Sequence, residues 1–282
     1  MSKTWFITGA SSGFGQGMTK RLLARGDRVI ATIRQEGALD DLATQYGDRL
    51  HVVYLDVTDT DGIEKCVDRV FAGFGRIDVI VSNAGYGVLG AAEETSIDQI
   101  RHAIDTNLIG SMVLIRAALP HLRAQGGGRV VQVSSEGGQI AYPGFSLYHA
   151  TKWGIEGFVE SLAIEVAPFG IEFMLVEPGP ARTNFAGGLV LPEPISDYDG
   201  TPAHDLKDAA FGGGWVIKGD PARMVDAMIT AADQQDMPFR LLLGADAYAG
   251  VHAALTKRLG VLEANRAITE SADFTDAELA AM

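Results

Sequence analysis

Residues 4–15 read Thr4-Trp5-Phe6-Ile7-Thr8-Gly9-Ala10-Ser11-Ser12-Gly13-Phe14-Gly15. The short run of apolar and β-branched residues predicts a strand over 4–8. Glycines follow at once, and from Gly15 a helical pattern runs to residue 25. Glycines between a strand and a helix let the backbone turn tightly and approach a pyrophosphate. The helix N-terminus then offers unpaired N–H groups and a partial positive charge. The spacing G-x-x-x-G-x-G is looser than the G-x-G-x-x-G dinucleotide fingerprint, and a glycine-rich turn of any α/β protein would read the same way. The candidate phosphate contacts are Gly9, Ser11, Ser12, Gly13, Phe14 and Gly15.

Further strands are predicted over 28–33, 51–55, 79–82, 129–134, 171–176 and 240–243, several of them almost wholly apolar. Helical patterns over 62–74, 97–118, 146–167 and 222–232 alternate with them. Such alternation predicts right-handed βαβ crossovers and an α/β fold of Rossmann type, a doubly wound, seven-stranded parallel sheet flanked by helices. With no repeat or Pro/Ser linker, residues 1–282 are expected to form a single domain. Residues 180–218, rich in Gly and Pro and carrying Phe185, Tyr198, Phe211 and Trp215, are expected to be a long loop over the substrate. Residues 245–282 are expected to be a C-terminal helical extension, with one helix over 248–264 and an acidic end.

The chain has 282 residues, 47% of them hydrophobic, enough for a large core. No apolar stretch approaches the roughly 18 residues of a membrane span, and no leader-like segment precedes the first strand. One cysteine, Cys66, precludes an internal disulfide and reads as core; a cytoplasmic location is expected. A net charge of -13 excludes the Lys/Arg stripes that nucleic acid requires. The six histidines lack metal-ligand spacing, so no metal is expected.

The second strand ends in Ile33-Arg34 with no acid before Glu36. An Asp or Glu there would hold the ribose hydroxyl of NAD, whereas an Arg suits the 2′-phosphate of NADP; otherwise Arg34 is simply a solvated strand end. Asp56, in Leu55-Asp56-Val57, is placed to meet an adenine edge or to cap a helix.

Tyr148 and Lys152 lie four apart on a helical segment, so both side chains share one face. A phenol titrates near 10, too high for proton transfer at neutral pH, and a nearby ammonium favours its anion. Ser135 lies 13 residues earlier, at the end of a buried strand, where its hydroxyl is placed to hydrogen-bond a substrate oxygen. Asn107 interrupts a helix, which points to a bend and a bound water. No G-x-S-x-G elbow is present, so acyl transfer is not expected. Tyr142, Phe185 and Trp215 are candidate substrate walls; His149 is expected to face away from the phenol, about 100° around the helix.

Together these residues resemble the short-chain dehydrogenase/reductase family over most of the chain. The motifs in order are the Thr8–Gly15 turn, Asn83-Ala84-Gly85, Asn107, Ser135, Tyr148 with Lys152, and Pro178-Gly179 with Thr183. The resemblance implies that Tyr148 is the general acid/base. Lys152 would lower its pKa and hold the nicotinamide ribose, Ser135 orient the substrate oxygen, and Asn107 hold a relay water. It also implies that Asn83 supports the cofactor edge and that Thr183 meets the nicotinamide carboxamide. Ile33-Arg34 is similar to NADP-preferring members, although the glycine turn offers Ser11 and Ser12 where many of those carry a basic residue. Residues 176–183 and 271–274 look like the hydroxysteroid and retinol dehydrogenase branch.

The expected activity is hydride transfer between NADP(H) and the carbonyl or alcohol carbon of a fairly apolar small molecule, in a homodimer or homotetramer. The alternatives are an NAD-linked alcohol dehydrogenase and a non-catalytic NADP sensor. A sensor would not need Ser135, Tyr148 and Lys152 together.

Overall fold

The N-terminal apolar run is a strand, Thr4–Ile7 (β1), buried at all four positions. The other strands are Arg28–Ile33 (β2), Leu50–Tyr54 (β3), Val79–Ser82 (β4), Gly128–Val133 (β5), Ile171–Pro178 (β6) and Arg240–Leu243 (β7). All pair in parallel in the order β3-β2-β1-β4-β5-β6-β7. This is a computed structural model, and it describes residues 2–212 and 216–282.

Helices Gly13–Arg25 (α1), Asp40–Tyr46 (α2), Thr60–Phe74 (α3), Ile97–Ile104 (α4), Gly110–Ala124 (α5) and Ser146–Val166 (α6) join the strands in turn. Pro202–Phe211 (α7) and Pro221–Asp233 (α8) precede β7. Ala245–Ala264 (α9), Arg266–Glu270 (α10) and Asp276–Ala281 (α11) form the tail. None of the described helices is long and apolar enough to cross a membrane.

Side-chain alternation along each strand divides the core into two layers. Trp5 and Ile7 pack with Met18, Leu22 and Met228 on the α1/α8 side. Phe6 packs with Val67, Ile115 and Val159 on the α3/α5/α6 side. Both faces of the sheet are therefore covered, as its near-continuous apolar strands require. Strand order reverses between β1 and β4, which opens a crevice beyond their C-terminal ends.

Two expectations are corrected. The helix expected over 97–118 is two helices, because the segment Asp105–Ile109 winds as a π turn around Asn107 before α5 continues to Ala124. Residues 180–218 are not all loop. They contain α7, which starts at Pro202, where proline's fixed φ and missing N–H suit a first helical turn.

Candidate active site

The glycine turn is held by backbone approach. Gly9 has φ of +67°, which an L side chain rarely adopts, and a Cβ there would lie 2.8 Å from the Ala84 Cα. A Cβ on Gly15 would lie 2.4 Å from the Gly9 carbonyl oxygen. Asn83 locks the arrangement, its Nδ2 donating to the Thr8 and Gly9 carbonyls at 2.9 and 3.0 Å. The Thr8 hydroxyl in turn accepts from the Asn83 and Ala84 amides. At the start of α1, Ser12 makes no side-chain cap and the first turn holds no acid. An anion therefore meets free N–H groups there without repulsion.

A cavity of about 460 Å³ runs from this turn along the sheet edge to the far wall, a volume that suits a small-molecule site. Ser11, Ser12, Gly13 and Phe14 line one end. Arg34 and Val57 lie beside it, Ala84 and Gly85 form the floor, and Pro178, Gly179 and Thr183 close the opposite side. Arg34 is exposed and makes no ion pair among the described residues. Thr106 also lines the cavity, and its buried hydroxyl has no partner among the described residues. An uncapped helix start, a cradle that side chains would fill and an orphaned buried hydroxyl fit a dinucleotide.

Asp56 is exposed just past the end of β3. Its carboxylate turns back to accept from the Thr58 N–H and hydroxyl at 2.9 and 2.8 Å, and the Thr58 amide holds it below the usual carboxylate range. It does not line the cavity, nor does it cap α3, which Asp59 does.

Ser135, Tyr148 and Lys152 meet on the wall between the two ends. Ser135 extends past β5, its hydroxyl accepting from the Gly137 N–H at 3.0 Å. Lys152 is buried, donates to the Val133 carbonyl at 3.1 Å and stands 5.6 Å from the centroid of the Tyr148 ring. Burial pushes Tyr148 up to about 12; the Ser135 hydroxyl draws it down and the Glu136 charge raises it further. Burial likewise pushes Lys152 down to about 8, against the pull of Glu156. Taken alone, then, the phenol is governed by desolvation rather than by its lysine neighbour, and it holds its proton at neutral pH.

Asn107 sits at the π turn, 2% exposed. Its Oδ1 accepts from the Tyr86 N–H at 3.0 Å, and its Nδ2 donates to the Tyr86 carbonyl at 2.8 Å and the Thr151 hydroxyl at 3.3 Å. The side chain is thus committed to the segment after Asn83-Ala84-Gly85 and to α6, and does not line the cavity.

Phe185 and Tyr142 lie where substrate walls were expected. The Phe185 ring is 5.7 Å from that of Tyr148, and Tyr142 lines the same cavity. Trp215 lies outside the described residues. The covering segment is tied down at Val190, whose amide donates to the Gly87 carbonyl at 3.0 Å, and at Glu94, whose buried carboxylate accepts from the Ile195 N–H and from His204.

Sequence reasoning missed Glu136, Tyr86 and Phe145 and set His149 aside, and all four lie on the cavity wall. Each adjoins or lies close to an expected residue in sequence, which was the one available signal. The His149 ring stands 6.1 Å from that of Tyr148 and lines the same cavity, where it bridges the Gly137 carbonyl and the Tyr142 N–H.

Residues 3–192 match the short chain dehydrogenase family, and the chain belongs to it. An oxidoreductase of Botryotinia fuckeliana is 38% identical over 254 residues, 89% of this chain and 92% of its own. Retinol dehydrogenase 8 of Homo sapiens is 34% identical over 211 residues, 72% of this chain and 67% of its own. The structure of a short-chain dehydrogenase from Streptomyces avermitilis superposes with a TM-score of 0.90 at 40% identity, covering 97% of this chain and 100% of that one. Two more distant chains share the fold. One, from Burkholderia cenocepacia, is a complex with NADP (23% identity, TM-score 0.73, covering 93% and 96%). The other, from Burkholderia phymatum, is a complex with NAD (20%, 0.77, covering 95% of each). The chain is therefore an oxidoreductase of the short-chain dehydrogenase family.

Proposed function

We propose that this protein is an NADP(H)-dependent carbonyl reductase, reversible as an alcohol dehydrogenase, acting on a fairly apolar small molecule. The observation that carries the reading is the meeting of Ser135, Tyr148 and Lys152 on one cavity wall, with the glycine turn at the cavity's end.

When bound, the nicotinamide supplies or accepts the hydride. Ser135 donates to the substrate carbonyl oxygen and fixes its position. Tyr148, protonated at neutral pH, gives its proton to that oxygen as charge develops there. The resulting phenolate is costly in so buried a place, and the Lys152 cation beside the ring offsets that cost. Asn107 is a positioning residue, keeping Tyr86 and α6 in register. Arg34 pairs with the 2′-phosphate, and the absence of an acid at the end of β2 removes the repulsion that would exclude NADP. Phe185, Phe145 and Leu189 give the substrate end its apolar character, in keeping with the name of the retinol dehydrogenase relative.

Association of two or four copies through α4, α5 and α6 is part of the same reading; a monomer by light scattering would argue against it. The experiment for the activity is a panel of aldehydes, ketones and secondary alcohols read as NADPH absorbance, beside titrations with NADPH and NADH. Turnover with tighter NADPH binding is expected. Equal or tighter NADH binding favours the NAD-linked reading, and no turnover across the panel removes the reductase.

A further inference from the structure

The substrate end of the cavity holds an acid for which the proposed reaction has no use. Glu136 follows Ser135 directly, opens a single 3-10 turn and is 4% exposed. A carboxyl so placed needs hydrogen-bond donors. The Tyr142 hydroxyl lies near the Glu136 carboxylate, the two residues line the same cavities, and Tyr142 itself is 36% exposed. A carboxylate offers about four lone-pair sites, and the Tyr142 hydroxyl can fill at most one of them. Glu136 also lies close enough to Tyr148 for its charge to be felt by the reacting phenol.

Beyond this pair a second cavity of about 250 Å³ adjoins the first, and Glu136, Tyr142, Gly179, Pro180 and Ile217 line both. The other charged groups there, Lys218 and Asp246, are spent on each other at 2.9 Å. Asp246 is more than half exposed and paired with Lys218, so the buried acceptor at the junction is Glu136, while Phe145 and Phe185 line the cavity that also holds Ser135. Desolvating an ammonium against such walls costs far more than desolvating a hydroxyl.

We infer that Glu136, with Tyr142, forms a hydroxyl-recognition subsite, so that the preferred substrates are apolar carbonyl compounds bearing a second polar group, a free hydroxyl, within reach of Glu136. This rests on the reductase reading above. A substrate hydroxyl donates to Glu136, whereas a methyl ether of similar shape fills the space and leaves the carboxyl short of a donor. A site built in that way rejects the analogue that lacks the hydrogen.

The test uses straight-chain methyl ketones of increasing length, each ending in a methyl, a hydroxyl or a methoxy group, with NADPH as reductant. At the fitting length, kcat/KM for the hydroxyl compound is expected to exceed that of the methoxy compound by about tenfold or more. Glu136→Leu is expected to bring that ratio close to one. Equal kcat/KM for hydroxyl and methoxy ketones at every length in the native protein overturns the subsite, as does a preference that survives in folded Glu136→Leu. If that variant does not fold, the native comparison still decides. Turnover of all three ketones without preference removes the subsite and leaves the reductase standing; turnover of none removes both.

Discussion

His149 Nε2 accepts the Tyr142 backbone N–H at 2.9 Å, while its Nδ1 donates to the Gly137 carbonyl at 2.8 Å. A carbonyl cannot donate and an amide N–H cannot accept, so the two partners fix a neutral imidazole with its proton on Nδ1. The ring thereby ties the segment from Ser135 to Tyr142 onto α6. Burial lowers its pKa below the ordinary 6.5, against the pull of the Gly137 carbonyl. Between the lowered value and 6.5 the unfolded chain binds more protons than the folded one, so stability falls as pH drops through 6.5. Phenylalanine at 149 leaves two buried backbone groups unpaired, at a cost of about 1–3 kcal/mol. His149→Phe is expected to be less stable at neutral pH and to lose less on acidification, as read by denaturant melts from pH 5 to 8. An unchanged acid slope would show that the imidazole does not titrate as described.

Gly15→Ala places a methyl 2.4 Å from the Gly9 oxygen and 2.7 Å from the Asn83 amide nitrogen. The turn must open, and overpacking of this kind costs about 1–3 kcal/mol. The distortion falls on the dinucleotide cradle, so NADPH affinity should drop at least about tenfold, measured by quenching of protein fluorescence. An unaltered Kd would mean that the cofactor does not use this turn.

Arg34→Ala separates the two cofactors. A charge-assisted bond to a 2′-phosphate contributes about 1.5–3 kcal/mol, and NADH offers no such group. NADPH binding is expected to weaken tenfold or more while NADH binding stays the same. A parallel loss for both would return Arg34 to the role of a solvated strand end.

His204 responds to pH in the opposite sense to His149. Its Nε2 meets the Glu94 carboxylate at 2.6 Å, and that bond, aided by Asp199, raises its pKa above 6.5. The stabilisation is complete below 6.5 and is lost as pH rises through the raised value. The covering segment should therefore become more sensitive to limited proteolysis between residues 190 and 212 as the solution turns alkaline. His204→Gln should be sensitive throughout, with little pH dependence. A native protein that resists equally at all pH values would exclude the latch.

The sheet was open to reading because its strands are buried on both faces. Near-continuous apolar runs such as Trp5-Phe6-Ile7 and Val79–Ser82 have few other uses. Tyr148, Lys152 and Ser135 were readable for a similar reason, since helical spacing and a strand end fix where they point. What escaped depended on contacts between distant segments. Asn107 showed a break in a helix, but not that its amide would be spent on Tyr86. Asp56 stood at the right strand end, but the sequence did not show that Thr58, two residues on, would engage one of its carboxylate oxygens. The α7 helix hid inside a stretch rich in glycine and proline, although Thr201-Pro202 is itself a helix-start signal. Glu136 carried no periodic signal at all, and only its burial marks it out.

The most direct measurement is turnover of NADPH and a reducible ketone by Tyr148→Phe, with cofactor binding measured on the same sample. The ring, its packing against Phe185 and the approach of Lys152 are kept; only the hydroxyl group is removed. Turnover is expected to fall about a thousandfold or more, with NADPH affinity within a few-fold of the native protein. Activity near the native level would contradict the assignment of Tyr148 as the proton donor.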